Sequence, residues 1–163
     1  MSSFPTPEFR QARFGAPLLL IAAALSACGV EEADVPSDPA IETYASSLGV
    51  RIADMTLKQN GLYYQDLAVG SGLEAISGRE VTVQYAGWFT NGKQFDKGTT
   101  LVTLGRNMVI VGWDLGLVGM RPGGKRKLVI GSELAYGSEG REGNPPIPPN
   151  TTLVFDVAVT NVV

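Results

Sequence analysis

Apolar and polar positions alternate from Val81 to Phe89. Val81, Val83, Tyr85, Gly87 and Phe89 fall on one side, and Thr82, Gln84, Ala86 and Trp88 on the other. A period of two predicts a strand with two distinct faces. Asn91-Gly92 follows, a pair that tolerates positive φ and so marks a hairpin turn, after which Lys93 to Asp96 returns as a strand. The same texture of short apolar runs between glycine turns extends from Gly61 to the end of the chain. Leu62 to Leu67 reads as a strand stopped by Gly70-Ser71-Gly72, and Leu101 to Leu104 as another. Lys125 to Ile130 follows the turn Pro122-Gly123-Gly124. Thr152 to Val163 closes the chain with Leu153, Phe155, Val157 and Val159 on one face. Val109 to Leu117 permits only a short helix, because Gly112 and Gly116 fall within it. Residues 137–149 form a long loop rich in Gly and Pro. The expected architecture is α+β, an antiparallel sheet on one short helix.

Upstream the pattern is different. Arg10 and Arg13 precede a nearly unbroken apolar run from Phe14 to Leu25, then the small residues Ser26 and Ala27. This is the layout of a secretory signal peptide, too short for a membrane-spanning helix of about 20 residues. Residues 29–39 are acidic and proline-bearing, with Glu31, Glu32, Asp34 and Asp38, and read as a solvated spacer. Ile41 to Leu57 has mixed spacing that allows either a helical turn or two against the domain or a loose segment.

Composition narrows the chemistry. The chain of 163 residues has no histidine and one cysteine, Cys28. Histidine-dependent nucleophile systems and His-ligated zinc are therefore excluded, as is an intramolecular disulfide. A carboxylate-only metal site stays open, although no loop of closely spaced Asp and Glu like an EF-hand is present, and no cofactor is implied. The formal net charge of −3 becomes −4 if residues 1–27 are removed. That balance argues against nucleic acid, which calls for a basic patch. The basic cluster Lys125, Arg126 and Lys127 reads as a solvated strand.

Two resemblances sharpen this picture. Leu25-Ser26-Ala27-Cys28 resembles the lipobox of bacterial lipoproteins, in which the cysteine is lipidated and the leader cut before it. It implies a signal peptide at 1–27, a lipidated Cys28 heading a tether over 28–60, and a lipid anchor in a bacterial cell envelope. Gly29 stands where an Asp retains many such proteins in the inner membrane, which leans towards the outer membrane, facing the periplasm. The second resemblance covers 61–163. Val81 to Gly87, Asn91 to Asp96, Val109-Ile110-Val111-Gly112-Trp113, Ala135-Tyr136-Gly137 and Ile147 to Asp156 are similar, in that order, to segments of FKBP-type prolyl isomerases.

That resemblance implies the FKBP-like fold, a twisted antiparallel sheet wrapped around one short helix, and catalysis of cis-trans rotation about Xaa-Pro bonds. By resemblance, Trp113 forms a floor under the proline ring, with Tyr85, Phe95, Val109, Ile110 and Phe155 as walls. The Tyr136 hydroxyl and the Ile110 N–H are expected to donate to substrate carbonyls. Asp96 is expected at the pocket edge, Ile147 is expected to cap the rim, and Asp156 takes a structural role. Expected partners are proline-containing segments of exported proteins and macrolides such as tacrolimus and rapamycin, bound by a monomer. The chain departs from the pattern at Thr100, where many relatives carry Phe, and at Arg141, where some carry His. A non-catalytic proline-peptide-binding module would use the same cleft; Tyr136, Asp96 and Trp113 favour the enzyme.

Overall fold

The computed structural model describes residues 35–163. The apolar leader, Cys28 and the first part of the acidic spacer lie outside the described residues. Six strands and one short α-helix make up the regular structure: β1 (Thr56–Gln59), β2 (Leu62–Ala68), β3 (Glu80–Phe89), β4 (Gln94–Thr103), α1 (Val111–Gly116), β5 (Lys125–Ile130) and β6 (Leu153–Val162). The strands form one sheet in the order β1-β2-β5-β6-β3-β4, and every neighbouring pair is antiparallel. The α+β architecture is the one the sequence pattern predicts.

The alternation in β3 holds. Val81, Val83 and Gly87 are buried, and the same face continues into Leu153, Phe155, Val157 and Val159 of β6. Against this face lies α1. Its close approach is explained by Gly112 and Gly116, four residues apart and therefore on one side of the helix. A side chain at Gly112 would collide with Ile130, and one at Gly116 would come within 2.8 Å of Leu128. The two glycines that shorten the helix also let its backbone rest directly on β5.

Two strands foreseen separately, Lys93 to Asp96 and Leu101 to Leu104, are one continuous strand, β4. Its register against β3 runs without a break from Thr103↔Glu80 to Asp96↔Gly87, so Gly98 does not interrupt the ladder. The Asn91-Gly92 turn is present, with Gly92 at φ 85° and the Asn91 side chain accepting from the Lys93 N–H at 2.9 Å.

The basic cluster is not a solvated strand. Arg126 and Lys127 are buried, at 6% and 7% exposure. Arg126 forms a two-pronged ion pair with Asp66, at 2.7 and 3.2 Å. It also donates to the carbonyls of Gly116 and Val118 and lies over the Tyr64 ring at 4.4 Å. It thus satisfies carbonyls at the C-terminal end of α1, where a cation is favoured. Lys127 pairs with Asp156 across to β6. A run of three like charges in sequence is split between the two faces of a strand, and each face supplies a partner.

The folded region also begins before Gly61. Strand β1 pairs with β2. Tyr44, Ala45, Leu48, Val50, Ile52 and Met55 cover Val129, Val154, Tyr63 and Trp88. The helical turns allowed for this stretch are short 3-10 turns at Ser46–Leu48 and Ile52–Asp54. Its path is fixed by the Ala45 N–H donating to the Thr90 carbonyl at 2.8 Å. It is fixed again by a reciprocal pair in which Ser37 and Ser132 each donate a backbone N–H to the other's hydroxyl at 3.0 Å. Apolar residues spaced irregularly for a helix or strand still bury well when a segment is laid across a sheet face, and such burial leaves no period to read.

Trimming the chain to residues 61–163 removes this cover and the edge strand. The expected result is a loss of about 2–4 kcal/mol relative to residues 37–163, from re-exposed apolar surface around Val129 and Val154. Urea unfolding of the two forms checks this; equal midpoints would show that the cover contributes nothing.

Candidate functional site

A cavity of about 210 Å3 opens on the helix side of the sheet, lined by Tyr85, Phe95, Asp96, Thr100, Met108, Val109, Ile110, Trp113, Tyr136, Arg141 and Phe155. Its base is a chain of aromatic rings set edge to face. Trp113 meets Tyr85 at 5.1 Å between centroids and 78°, and Phe155 at 5.4 Å and 83°. Phe155 in turn meets Phe95 at 5.6 Å and 87°. This arrangement places ring edges against ring faces, as the aromatic quadrupole favours, and fixes each ring through its neighbour.

Strand chemistry explains how Phe95 and Asp96, adjacent in sequence, both reach the cavity. Neighbouring residues on a strand point to opposite faces. Here the β3–β4 register shifts between Gly87 and Trp88, which oppose Asp96 and Gln94. The extra residue is Phe95, and a bulge of this kind re-aims side chains. Phe95 is 8% exposed, and Asp96 sits at the rim. The Asp96 carboxylate accepts from the Tyr85 hydroxyl at 3.2 Å and from the Lys97 N–H at 2.8 Å. Burial, and then the Asp96 charge, raise the Tyr85 phenol above its ordinary pKa of 10.0.

The Met108-Val109-Ile110 rim leads into α1. Asp114 holds the preceding turn, accepting from the N–H groups of Gly105 and Asn107 at 3.0 and 3.3 Å. The Ile110 carbonyl accepts from the Trp113 and Asp114 N–H groups, while the Ile110 N–H donates to no acceptor among the described residues. Across the cavity, Tyr136 lies within a tight turn in which the Ser132 carbonyl accepts from the Ala135 and Gly137 N–H groups. Two buried side-chain donors among the described residues lack a partner, Trp113 Nε1 and Arg141 Nε. Both belong to residues that line this cavity, and unsatisfied buried groups in a native structure point to strain or function.

Eight of the nine residues expected at the pocket line it: Tyr85, Phe95, Asp96, Val109, Ile110, Trp113, Tyr136 and Phe155. Ile147 does not cap the rim. It is 3% exposed and belongs to the core, drawn inward by paired backbone hydrogen bonds with Arg141 at 2.8 and 2.9 Å. Arg141 takes the rim position instead. Met108 was not foreseen; its one sequence signal is its place directly before Val109-Ile110. Thr100, the position of the reduced wall, also lines the cavity.

Gly87 lies under two of the aromatic walls. A Cβ there would come within 2.7 Å of the Phe95 ring and 2.8 Å of the Phe155 ring. Gly87→Ala is expected to cost about 1–3 kcal/mol through overpacking and to displace both rings. Denaturant unfolding reads the first effect and near-ultraviolet circular dichroism the second; an unchanged midpoint and spectrum would mean that the rings yield freely.

The chain is similar to known proteins. The family model described as FKBP-type peptidyl-prolyl cis-trans isomerase matches residues 72–160. The FK506-binding protein of Neisseria meningitidis serogroup B is 48% identical over 107 residues, 63% of this chain and 96% of that protein. FK506-binding protein 4 of Dictyostelium discoideum is 49% identical over 63% of this chain, which spans only 28% of that longer protein. The crystal structure of FkpA from Escherichia coli superposes with a TM-score of 0.56 at 42% identity, covering 62% of this chain and 47% of that one. With the sheet, the short helix and the aromatic cavity in place, the chain belongs to the family of FKBP-type peptidyl-prolyl cis-trans isomerases.

Proposed function

We propose that this isomerase turns its Xaa-Pro bonds in the aromatic cavity, with a distinct role for each wall. The observation that carries the reading is the meeting of an apolar aromatic floor with hydrogen-bond donors on both sides, in a chain that offers no histidine nucleophile system. Rotation about a peptide bond is resisted by about 18–20 kcal/mol of amide resonance, and uncatalysed X-Pro exchange takes tens to hundreds of seconds. A site that holds the twisted amide more tightly than the planar one lowers that barrier, each tenfold of rate requiring about 1.4 kcal/mol of preference. The planar amide is the more dipolar form, so an apolar enclosure penalises it more.

Trp113 is the floor on which the prolyl ring rests, and Tyr85, Phe95, Val109, Ile110 and Phe155 are the walls. The Tyr136 hydroxyl holds the carbonyl of the rotating bond, and the Ile110 N–H, left without an acceptor among the described residues, holds a neighbouring one. Asp96, fixed by Tyr85 and Lys97, polarises the edge. Tacrolimus and rapamycin would occupy the same cavity, against a wall that Thr100 leaves smaller than an aromatic would.

The anchoring and the place of work rest on the sequence. Leu25 to Cys28 supports lipidation of Cys28 and a location in a bacterial cell envelope, at the outer membrane facing the periplasm. There a monomer would assist the folding of exported proteins whose prolyl steps are slow.

Turnover of a short Xaa-Pro peptide by the full chain tests the site. Trp113→Ala and Asp96→Ala, each checked for folding, are expected to lower kcat/KM about tenfold or more; unchanged turnover in both folded variants would move the reaction elsewhere. Cys28→Ser is expected to shift the protein from the membrane to the soluble fraction when its native host is fractionated. Retention on membranes would remove the lipid anchor.

A further inference from the structure

Arg141 is the cavity residue least explained by the aromatic cage. Its guanidinium lies over the Tyr136 ring at 5.1 Å, and Nη1 donates to the Tyr136 hydroxyl at a long 3.4 Å. Its Nε is buried and without a partner. No carboxylate among the described residues lies within ion-pair distance of it, although Glu139 and Glu142 flank it in sequence and are exposed. Asp96, the one acid in the cavity, has its two oxygens engaged by Tyr85 and Lys97. The backbone of Arg141 is fixed by two hydrogen bonds exchanged with Ile147, which is held in the core, and its guanidinium is placed by the Tyr136 ring and hydroxyl. A cation is thus held at the rim with most of its donors unused.

We propose that Arg141 is a specificity-determining residue that selects substrates with an acidic side chain immediately before the proline. The inference rests on the reading of the cavity as the substrate site. The carbonyl of an Xaa-Pro bond belongs to Xaa. If Tyr136 holds that carbonyl, the Xaa side chain leaves from beside the Tyr136 hydroxyl, where the guanidinium sits. Guanidinium groups bind carboxylates through paired, charge-assisted hydrogen bonds, and a group already positioned loses little freedom in doing so. Gln at Xaa has the same shape as Glu without the charge, and Lys carries the opposite one, so the three isolate the electrostatic contribution.

The test measures kcat/KM of the full chain on peptides differing only at Xaa: Glu, Gln, Leu and Lys. In the unaltered protein Glu-Pro is expected to exceed Gln-Pro. Arg141→Gln should lower the Glu-to-Gln ratio about three- to tenfold, and Arg141→Glu should favour Lys-Pro instead. Because the readout is a ratio within one variant, a general loss of activity or folding cancels. Raising the salt from 0.15 M towards 1 M, which shortens the screening length from about 8 to about 3 Å, should shrink the ratio. A Glu-to-Gln ratio that is the same in the unaltered protein and in both Arg141 variants would overturn the proposal. Should Leu-Pro turnover also survive Trp113→Ala, it is the placement of the site that fails; if Leu-Pro turnover falls there while the ratios stay fixed, only the role of Arg141 does.

Discussion

The direct contact between α1 and β5 is the constraint on which the site depends. Gly112 and Gly116 bring helix backbone against Ile130 and Leu128 with no side chain between, so Trp113, bracketed by them, projects at a fixed height. The ring of Trp113 then has one place to go, beneath Tyr85 and Phe155. Interiors packed at crystal-like density transmit such a constraint rather than absorb it. The cavity floor is therefore set by two absent side chains as much as by the aromatic ones present.

The charged groups secure the same contact from its far end. Arg126 reaches from β5 to the last carbonyls of α1 and to Asp66 on β2, joining helix and two strands through one guanidinium. Removing Asp66 is costly, because the buried Arg126 guanidinium is left without its counter-charge. On the opposite face the pair of Lys127 and Asp156 ties β5 to β6. The sheet is thus fastened by an ion pair on each face at the strand on which the helix rests.

Much of this was legible in the sequence. The alternation along β3, the Asn91-Gly92 turn and the apolar face of β6 follow from the period of strands, and eight pocket residues follow from the segments that resemble the family. What could not be read depends on partners remote in the chain. Ile147 in a Gly- and Pro-rich loop gives no period to interpret, and only its bridge to Arg141 reveals that it turns inward. Arg126 looks like a surface charge until Asp66, sixty residues away, is placed beside it. The residues from Tyr44 to Met55 lack regular spacing because they lie across a sheet face as irregular chain, and burial of that kind leaves no periodic trace.

The exchange of hydrogen bonds between Ser37 and Ser132 has a mechanical consequence. Ser132 also supplies the carbonyl on which the turn around Tyr136 closes, so one residue joins the incoming chain to the side of the cavity. Tension applied upstream of Ser37 meets this clamp first, and its two bonds pass the load to the chain just beyond β5 before the edge strand β1 is pulled. The edge strand is spared while the clamp holds, and the turn carrying Tyr136 is the part of the cavity closest to the line of force.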